Sequence, residues 1–164
     1  MSKIILFGAG GHARSCIDVI EGLKKYKVAF LVDNKKNLNF YPYKILKEKD
    51  LKKIQNKSNK AIISFGGIKN LNLRYKKYLE LKKLGFKFPV IISNSSYVSN
   101  SSIIGDGTIL MHNTFVNAGS KIGNNCIINT RALIEHDVKI EDNCHISTGS
   151  IINGSVLIKT NTFI

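Results

Sequence analysis

From Val98 onward the chain places an aliphatic residue at every sixth position: Val98, Ile104, Leu110, Val116, Ile122, Ile128, Ile134, Ile140, Ile146, Ile152, Ile158 and Ile164. Two residues before each of these, from Ser102 on, stands a small residue, in the order Ser, Thr, Thr, Ser, Cys, Ala, Val, Cys, Ser, Val, Thr. Chance does not produce such a run at ordinary apolar usage, so the repeat is structural. On a strand, residues two apart share one side and the residue between them points the other way. Each hexad therefore predicts one short strand and a corner, and three hexads close a triangular coil of the left-handed parallel β-helix type, with aliphatic rows stacked inside. The outward positions sort by face. The first face carries Tyr97, Phe115, Leu133 and Ile151; the second Ile103, Lys121, Lys139 and Leu157; the third Ile109, Ile127, His145 and Phe163. The lysines suit the second face to water. The first and third are mostly apolar, which marks subunit contacts, and a parallel homotrimer that buries both is expected.

The N-terminal half has a different rhythm. Lys3 to Phe7 is an apolar run ending in Gly8-Ala9-Gly10-Gly11-His12-Ala13, after which Cys16, Ile17, Val19, Ile20 and Leu23 recur at helical spacing, predicting strand, glycine turn and helix. A second strand, Val28 to Val32, closes at Asp33. Residues 34–60 read as a polar, lysine-rich excursion with one short helix near Asp50 to Ile54. A third strand, Ala61 to Phe65, ends in Gly66-Gly67; Asn70 then caps a helix presenting Leu71, Tyr75, Tyr78, Leu79 and Leu84, closed by Gly85. Phe86 to Ile92 is a last extended segment. The expected architecture is a small α/β, Rossmann-like domain over residues 1–92, followed by the β-helix over residues 93–164. In a parallel sheet ligands bind at the C-terminal strand ends, here Gly10, Gly11, Asp33, Gly66 and Gly67. The turn fits G-x-G-x-x-A with an acidic residue roughly twenty positions on, an arrangement for phosphate and ribose, although a tight βα turn without ligand has the same pattern. Too few strands follow for a full dinucleotide domain, so a mononucleotide fits better.

Composition narrows the function. No apolar run reaches the length of a membrane span, and Ile4 to Phe7 is too short for a signal peptide, so a cytoplasmic protein is expected. Cys16, Cys126 and Cys144 lack paired spacing, which speaks against a disulfide framework and against a metal site. Cys126 and Cys144, eighteen apart, stack on one inner row and read as packing. The net charge of +14 is carried by scattered lysines without an aromatic-rich basic motif, so neither nucleic acid nor a membrane is an expected partner. The positive field attracts small anions such as CoA and nucleotide sugars.

Taken together, Gly8-Ala9-Gly10-Gly11-His12, Asp33, the hexads, Ile134-Glu135-His136-Asp137 and Cys144-His145-Ile146-Ser147 resemble the NeuD/PglD-like sugar acetyltransferases, over nearly the whole chain. The resemblance implies a homotrimer with its active site between subunits and acetyl-CoA as co-substrate. It assigns His136 the role of general base, with Asp137 or Glu135 orienting the imidazole, and gives His145 a contact to acetyl-CoA or to the tetrahedral intermediate. It implies that Gly10, Gly11, His12, Asp33, Gly66 and Gly67 hold the nucleotide of a UDP-linked amino sugar; His12 at a helix start is otherwise a polar cap residue. The register agrees: His136 occupies a corner beside the first face and His145 projects from the third half a coil later, so parallel subunits packed through those faces bring the two to similar height. His112, also at a corner, reads as structural. Two features depart from the family pattern. Ser93-Asn94 stands where relatives have His-Pro at the domain junction. The repeat also stops at Ile164 inside a hexad, where relatives add coils that help bind CoA, implying a truncated chain or a reduced CoA site. O-acetylation of sialic acid is the nearest variant. A non-catalytic nucleotide-sugar-binding trimer and a dinucleotide oxidoreductase are the readings from other classes, and the small sheet counts against the second.

Overall fold

The computed structural model describes residues 1–35, 39–40, 42–66 and 71–164. The chain opens with strand β1 (Ser2–Phe7), the glycine turn, helix α1 (Gly11–Gly22) and strand β2 (Tyr26–Val32). Strand β3 (Ile45–Leu46), helix α2 (Leu51–Gln55), strand β4 (Ala61–Ile63) and helix α3 (Leu71–Lys83) follow. The described strands of this sheet are parallel, in the order β3-β2-β1-β4. β1 reads as a continuous apolar run because both its faces are covered: Ile4 and Leu6 pack towards α1, Ile5 and Phe7 towards Tyr78 and Leu81 of α3. No helix among the described residues is long and apolar enough to cross a membrane.

Three expectations for this half change. The polar excursion contains the edge strand β3, whose two half-buried residues are too few to show a period. The segment Phe86 to Ile92 is not a further strand of this sheet: Lys87 forms a single bridge to Lys60, and Ile91–Ile92 pairs instead with Ile109–Leu110. β-helix pairing therefore begins at Ile91, inside the stretch assigned to the first domain. On α3 the buried stripe is Arg74, Tyr78 and Leu81, while Leu79 and Leu84 are exposed. Gly67 and Asn70 lie outside the described residues.

From Ile91–Ile92 to Leu157–Ile158, two-residue strands recur every six residues and stack in three parallel sheets, each strand pairing with the one eighteen residues on. The rows Leu110, Val116, Ile122, Ile128, Ile134, Ile140 and Ile146 are sealed inside, with Cys126, Ala132 and Cys144 beside them. All three cysteines are free thiols, and the Cys126 and Cys144 thiols donate to the Glu141 and Lys159 carbonyls. Corners fall at Asn113, Asn125, Arg131, Asp137, Asn143, Ser155 and Asn161, whose φ angles lie between 54° and 63°. Asn and Asp are the non-glycine residues that best tolerate this left-handed backbone.

The third face, apart from the exposed Phe163, is already covered within the chain. Ile91, Ile109 and Ile127 are fully buried, together with Met111, in one cluster with Ile17, Val19 and Ile20 of α1. The chain's own first domain covers this face, at a gain of about 1.5–3 kcal/mol per isoleucine. The first face stays open, with Tyr97 and Ile151 55% and 67% exposed, and Ile103 and Leu157 of the second face join it. A polar tie completes the domain junction. His112 Nε2 donates to Asp18 Oδ2 of α1 (2.8 Å), Ser93 Oγ donates to His112 Nδ1 (2.7 Å), and Asn94 Nδ2 donates to the Gly22 carbonyl (2.8 Å).

Candidate active site

Because β1, β2 and β4 are parallel, their C-terminal ends lie together. They open into a cleft of about 860 Å³ lined by Gly8, Gly10, His12, Asp33, Phe65 and Gly66, among others, a volume in the range of small-molecule sites. Gly8 has φ +113°, and a Cβ there would lie 2.9 Å from the Phe65 ring, so glycine alone lets the turn pass under Phe65. Gly10 caps α1 without a side-chain hydrogen bond, leaving the first amides of a twelve-residue helix turned to the cleft. Asp33 accepts from the Ala9 and Lys35 amides, each at 2.8 Å. Its carboxylate thus fixes the glycine turn while each oxygen retains one lone pair. Gly11, the first residue of α1, is exposed and is not among the lining residues. Lys35, Lys77 and Glu48 stand at the rim, and Lys77 pairs with Glu48 at 3.1 Å and with Glu80 at 2.8 Å.

Behind the cleft the β-helix contributes His145, which is 3% exposed. Its ring centroid lies 6.3 Å from that of His12, it meets the Phe163 ring edge-on at 4.9 Å, and a Cβ on Gly66 would touch its Cε1 at 3.7 Å. His12 is therefore not a helix cap. Burial, then the Arg74 guanidinium, then His145 hold His12 down at about 3. Burial, then Arg74, hold His145 at about 4. Both rings are neutral at pH 7. Asn129 Nδ2 donates to His145 Nε2 (3.2 Å), which leaves the ring proton on Nδ1. Among the described residues neither that buried Nδ1–H nor His12 Nε2 has a hydrogen-bond partner. Sequence reasoning passed over Arg74, whose only signal was a charged residue between Leu71 and Tyr78 on the stripe of α3.

Glu135, His136 and Asp137 sit elsewhere, on the corner joining the first and second faces and opposite the third. His136 Nδ1 donates to Asp137 Oδ2 at 3.0 Å, leaving the Nε2 lone pair available. Glu135 Oε2 instead accepts from Asn117 Nδ2 (2.9 Å) and from the His136 amide (3.3 Å). Of the two flanking carboxylates, Asp137 is the one that orients the ring. One coil further on, Gly154 packs against His136: a Cβ there would stand 2.7 Å from both Cε1 and Nε2. The only sequence signal for Gly154 is its place eighteen residues after His136. Within one chain the fold thus assembles Gly10, His12, Asp33, Gly66 and His145, and holds the His136 group apart from them.

Two family descriptions match the chain, the PglD N-terminal domain over residues 3–80 and the bacterial transferase hexapeptide repeats over residues 101–136 and 119–154. No curated protein matches it by sequence. Among solved structures, the acetyltransferase domain of PglB from Neisseria gonorrhoeae is 28% identical with a TM-score of 0.89, over 100% of this chain and 80% of that one. The same domain in complex with acetyl coenzyme A is 26% identical, with a TM-score of 0.79 over 98% of this chain and 83% of the other. A histidine-to-asparagine mutant of perosamine N-acetyltransferase from Caulobacter crescentus, in complex with CoA and GDP-perosamine, is 25% identical with a TM-score of 0.92, over 99% of this chain and 77% of that one. The chain thus joins a PglD N-terminal domain to bacterial transferase hexapeptide repeats, and its α/β domain and hexad β-helix support the NeuD/PglD-like hexapeptide transferase family.

Proposed function

We propose that the protein transfers the acetyl group of acetyl-CoA to the amino group of a nucleotide-linked sugar, with His136 as general base at a site completed between subunits of a homotrimer. The cleft carries this reading: a glycine-edged pocket at the strand ends, with the N-terminus of α1 and Asp33 on its wall, is backed by two neutral histidines, one of them from the β-helix. The Caulobacter relative is bound to CoA and GDP-perosamine, and the gonococcal one to acetyl coenzyme A. In this chain the helix N-terminus at Gly10 and Gly11, with His12, Asp33, Gly66 and Gly67, takes the nucleotide and its sugar. His136 stands at the edge of the open first face, whose Tyr97 and Phe115 rings stack at 4.8 Å. A parallel trimer closed through Tyr97, Phe115 and Ile151 carries His136 of one protomer towards the cleft of the next.

In the reaction the sugar amine attacks the thioester carbonyl and a C–N bond forms as His136 Nε2 takes the amine proton. Asp137 stabilises the resulting imidazolium through Nδ1–H. The oxyanion of the tetrahedral intermediate is stabilised by N–H donors at the site. Collapse breaks the C–S bond, and His136 returns the proton to the departing CoA thiolate. Acetyl-CoA and the free cysteines fit a cytoplasmic location. The test is thiol release from acetyl-CoA with UDP- and GDP-linked amino sugars and with free sialic acid, for the wild type and His136→Ala. Turnover that survives His136→Ala refutes the base; turnover of sialic acid alone makes the enzyme an O-acetyltransferase. Nucleotide-sugar binding without any turnover leaves a binding trimer.

A further inference from the structure

Arg74 is the one arginine in the core. It is fully buried, and no carboxylate among the described residues pairs with it. An isolated buried charge is costly unless other groups solvate it. Here main-chain carbonyls solvate Nε and Nη1, while the buried Nη2 has no hydrogen-bond partner among the described residues. Nη1 donates to Ile63 O (2.7 Å) and Phe65 O (2.8 Å), and Nε donates to Asn125 O (3.3 Å). The first two carbonyls belong to the end of β4, which leads directly into Gly66; the third belongs to a left-handed corner of the β-helix. One planar fork therefore spans the two domains behind the cleft. The same corner is fixed to α3 from the other side, because Asn125 Nδ2 donates to Asn143 Oδ1 (2.7 Å) and Asn143 Nδ2 to Leu71 O (2.9 Å).

We propose that Arg74 is the positioning residue of the acceptor cleft: its guanidinium fork sets the end of β4 against the β-helix and so fixes the contact between Gly66 and His145. The inference rests on the acetyltransferase reading only for its kinetic consequence. The shape of the fork matters because the three donors of an ammonium diverge from one nitrogen, whereas Arg74 reaches its carbonyls from two separate nitrogens, Nε and Nη1. The charge adds a second effect, since the ionisable groups around Arg74 are His12 and Cys16 of α1 and Cys126 and His145 of the β-helix. A fixed cation among them favours the neutral imidazoles, so that His145 keeps Nδ1–H as a donor beside Gly66.

The test uses the full chain with Arg74→Lys, Arg74→Met and, as a destabilised control that leaves the fork intact, Leu81→Ala. Histidine titrations and the contact between the Gly66 α-protons and His145 Hε1 are followed by NMR, and kcat and KM for the nucleotide sugar by thiol release. Arg74→Lys is expected to lose the Gly66–His145 contact and to lower kcat/KM by about 10–100-fold, while His145 still titrates low. Arg74→Met adds an upward shift of both histidines. Leu81→Ala is expected to keep the contact and both titrations despite its lower Tm. An intact contact in Arg74→Lys with wild-type kcat/KM overturns the proposal, as does a Leu81→Ala variant that loses the contact equally. If Arg74→Met does not fold, the lysine variant and the control still decide. If the wild type turns over no sugar, the acetyltransferase reading fails while the NMR arm continues to judge Arg74.

Discussion

Replacing Gly154 by alanine asks whether the pose of His136 sets the rate. The new Cβ would lie 2.7 Å from Cε1 and Nε2 of the ring, against an ordinary contact of about 3.5–4 Å, so the imidazole must retreat by about 1 Å. Gly154 is not among the left-handed glycines, and alanine therefore strains no dihedral. The His136 side chain is 60% exposed, so the ring can swing outward without disturbing the core, and stability is expected to change by no more than about 0.5 kcal/mol. A general base displaced by that distance loses about 10²-fold in kcat/KM, equivalent to about 2.7 kcal/mol of transition-state stabilisation. Thiol release from acetyl-CoA at saturating and limiting acceptor measures the loss, with thermal melting alongside. The neighbouring Asn153→Ala, which removes an exposed side chain, is the control expected to match the wild type. A Gly154→Ala enzyme within about threefold of wild type would refute the reasoning, as would a large fall in Tm, which would make the effect one of folding.

Asp137→Asn removes the charge that stabilises the His136 imidazolium while keeping a residue suited to a left-handed corner; kcat should fall by about 10²–10⁴-fold with Tm unchanged. Glu135→Gln should lose much less in the same assay, because Glu135 bonds Asn117 and a backbone amide rather than the ring. Stability should decline on acidification. His12 and His145 titrate at about 3 and about 4 in the folded chain against 6.5 for the free side chain, so the unfolded state binds more protons below pH 6.5 and stability is lost as pH falls from there towards about 3. Thermal melts across that window check this, and His145→Gln should flatten the profile. Ile127→Asp puts a charge into the apolar junction of α1 and the β-helix and should cost at least about 3 kcal/mol in urea unfolding. Ile151→Asp on the open first face should leave the fold intact and dissociate the oligomer in sedimentation velocity.

The six-residue period determined the β-helix by itself, because a coil of three short strands has only one way to bury a small and an aliphatic residue two apart. The glycine turn and the apolar runs likewise placed β1, α1, β2 and β4; the C-terminal ends of the three strands and the N-terminus of α1 form the cleft. The His136 corner stood out as a candidate because a histidine between two carboxylates contributes nothing to an apolar stack. What the sequence left undecided were relations between elements far apart in the chain. An outward apolar row looks the same whether a second subunit or the chain's own first domain covers it, and the tertiary structure gave the third face to α1. The pattern equally left open which carboxylate serves His136, since only the corner geometry turns Asp137 to the ring and Glu135 to Asn117. Arg74 and Gly154 were invisible for the same reason: one is an ordinary helix residue until β4 and Asn125 converge on it, the other an ordinary corner glycine until the coil brings it against the imidazole.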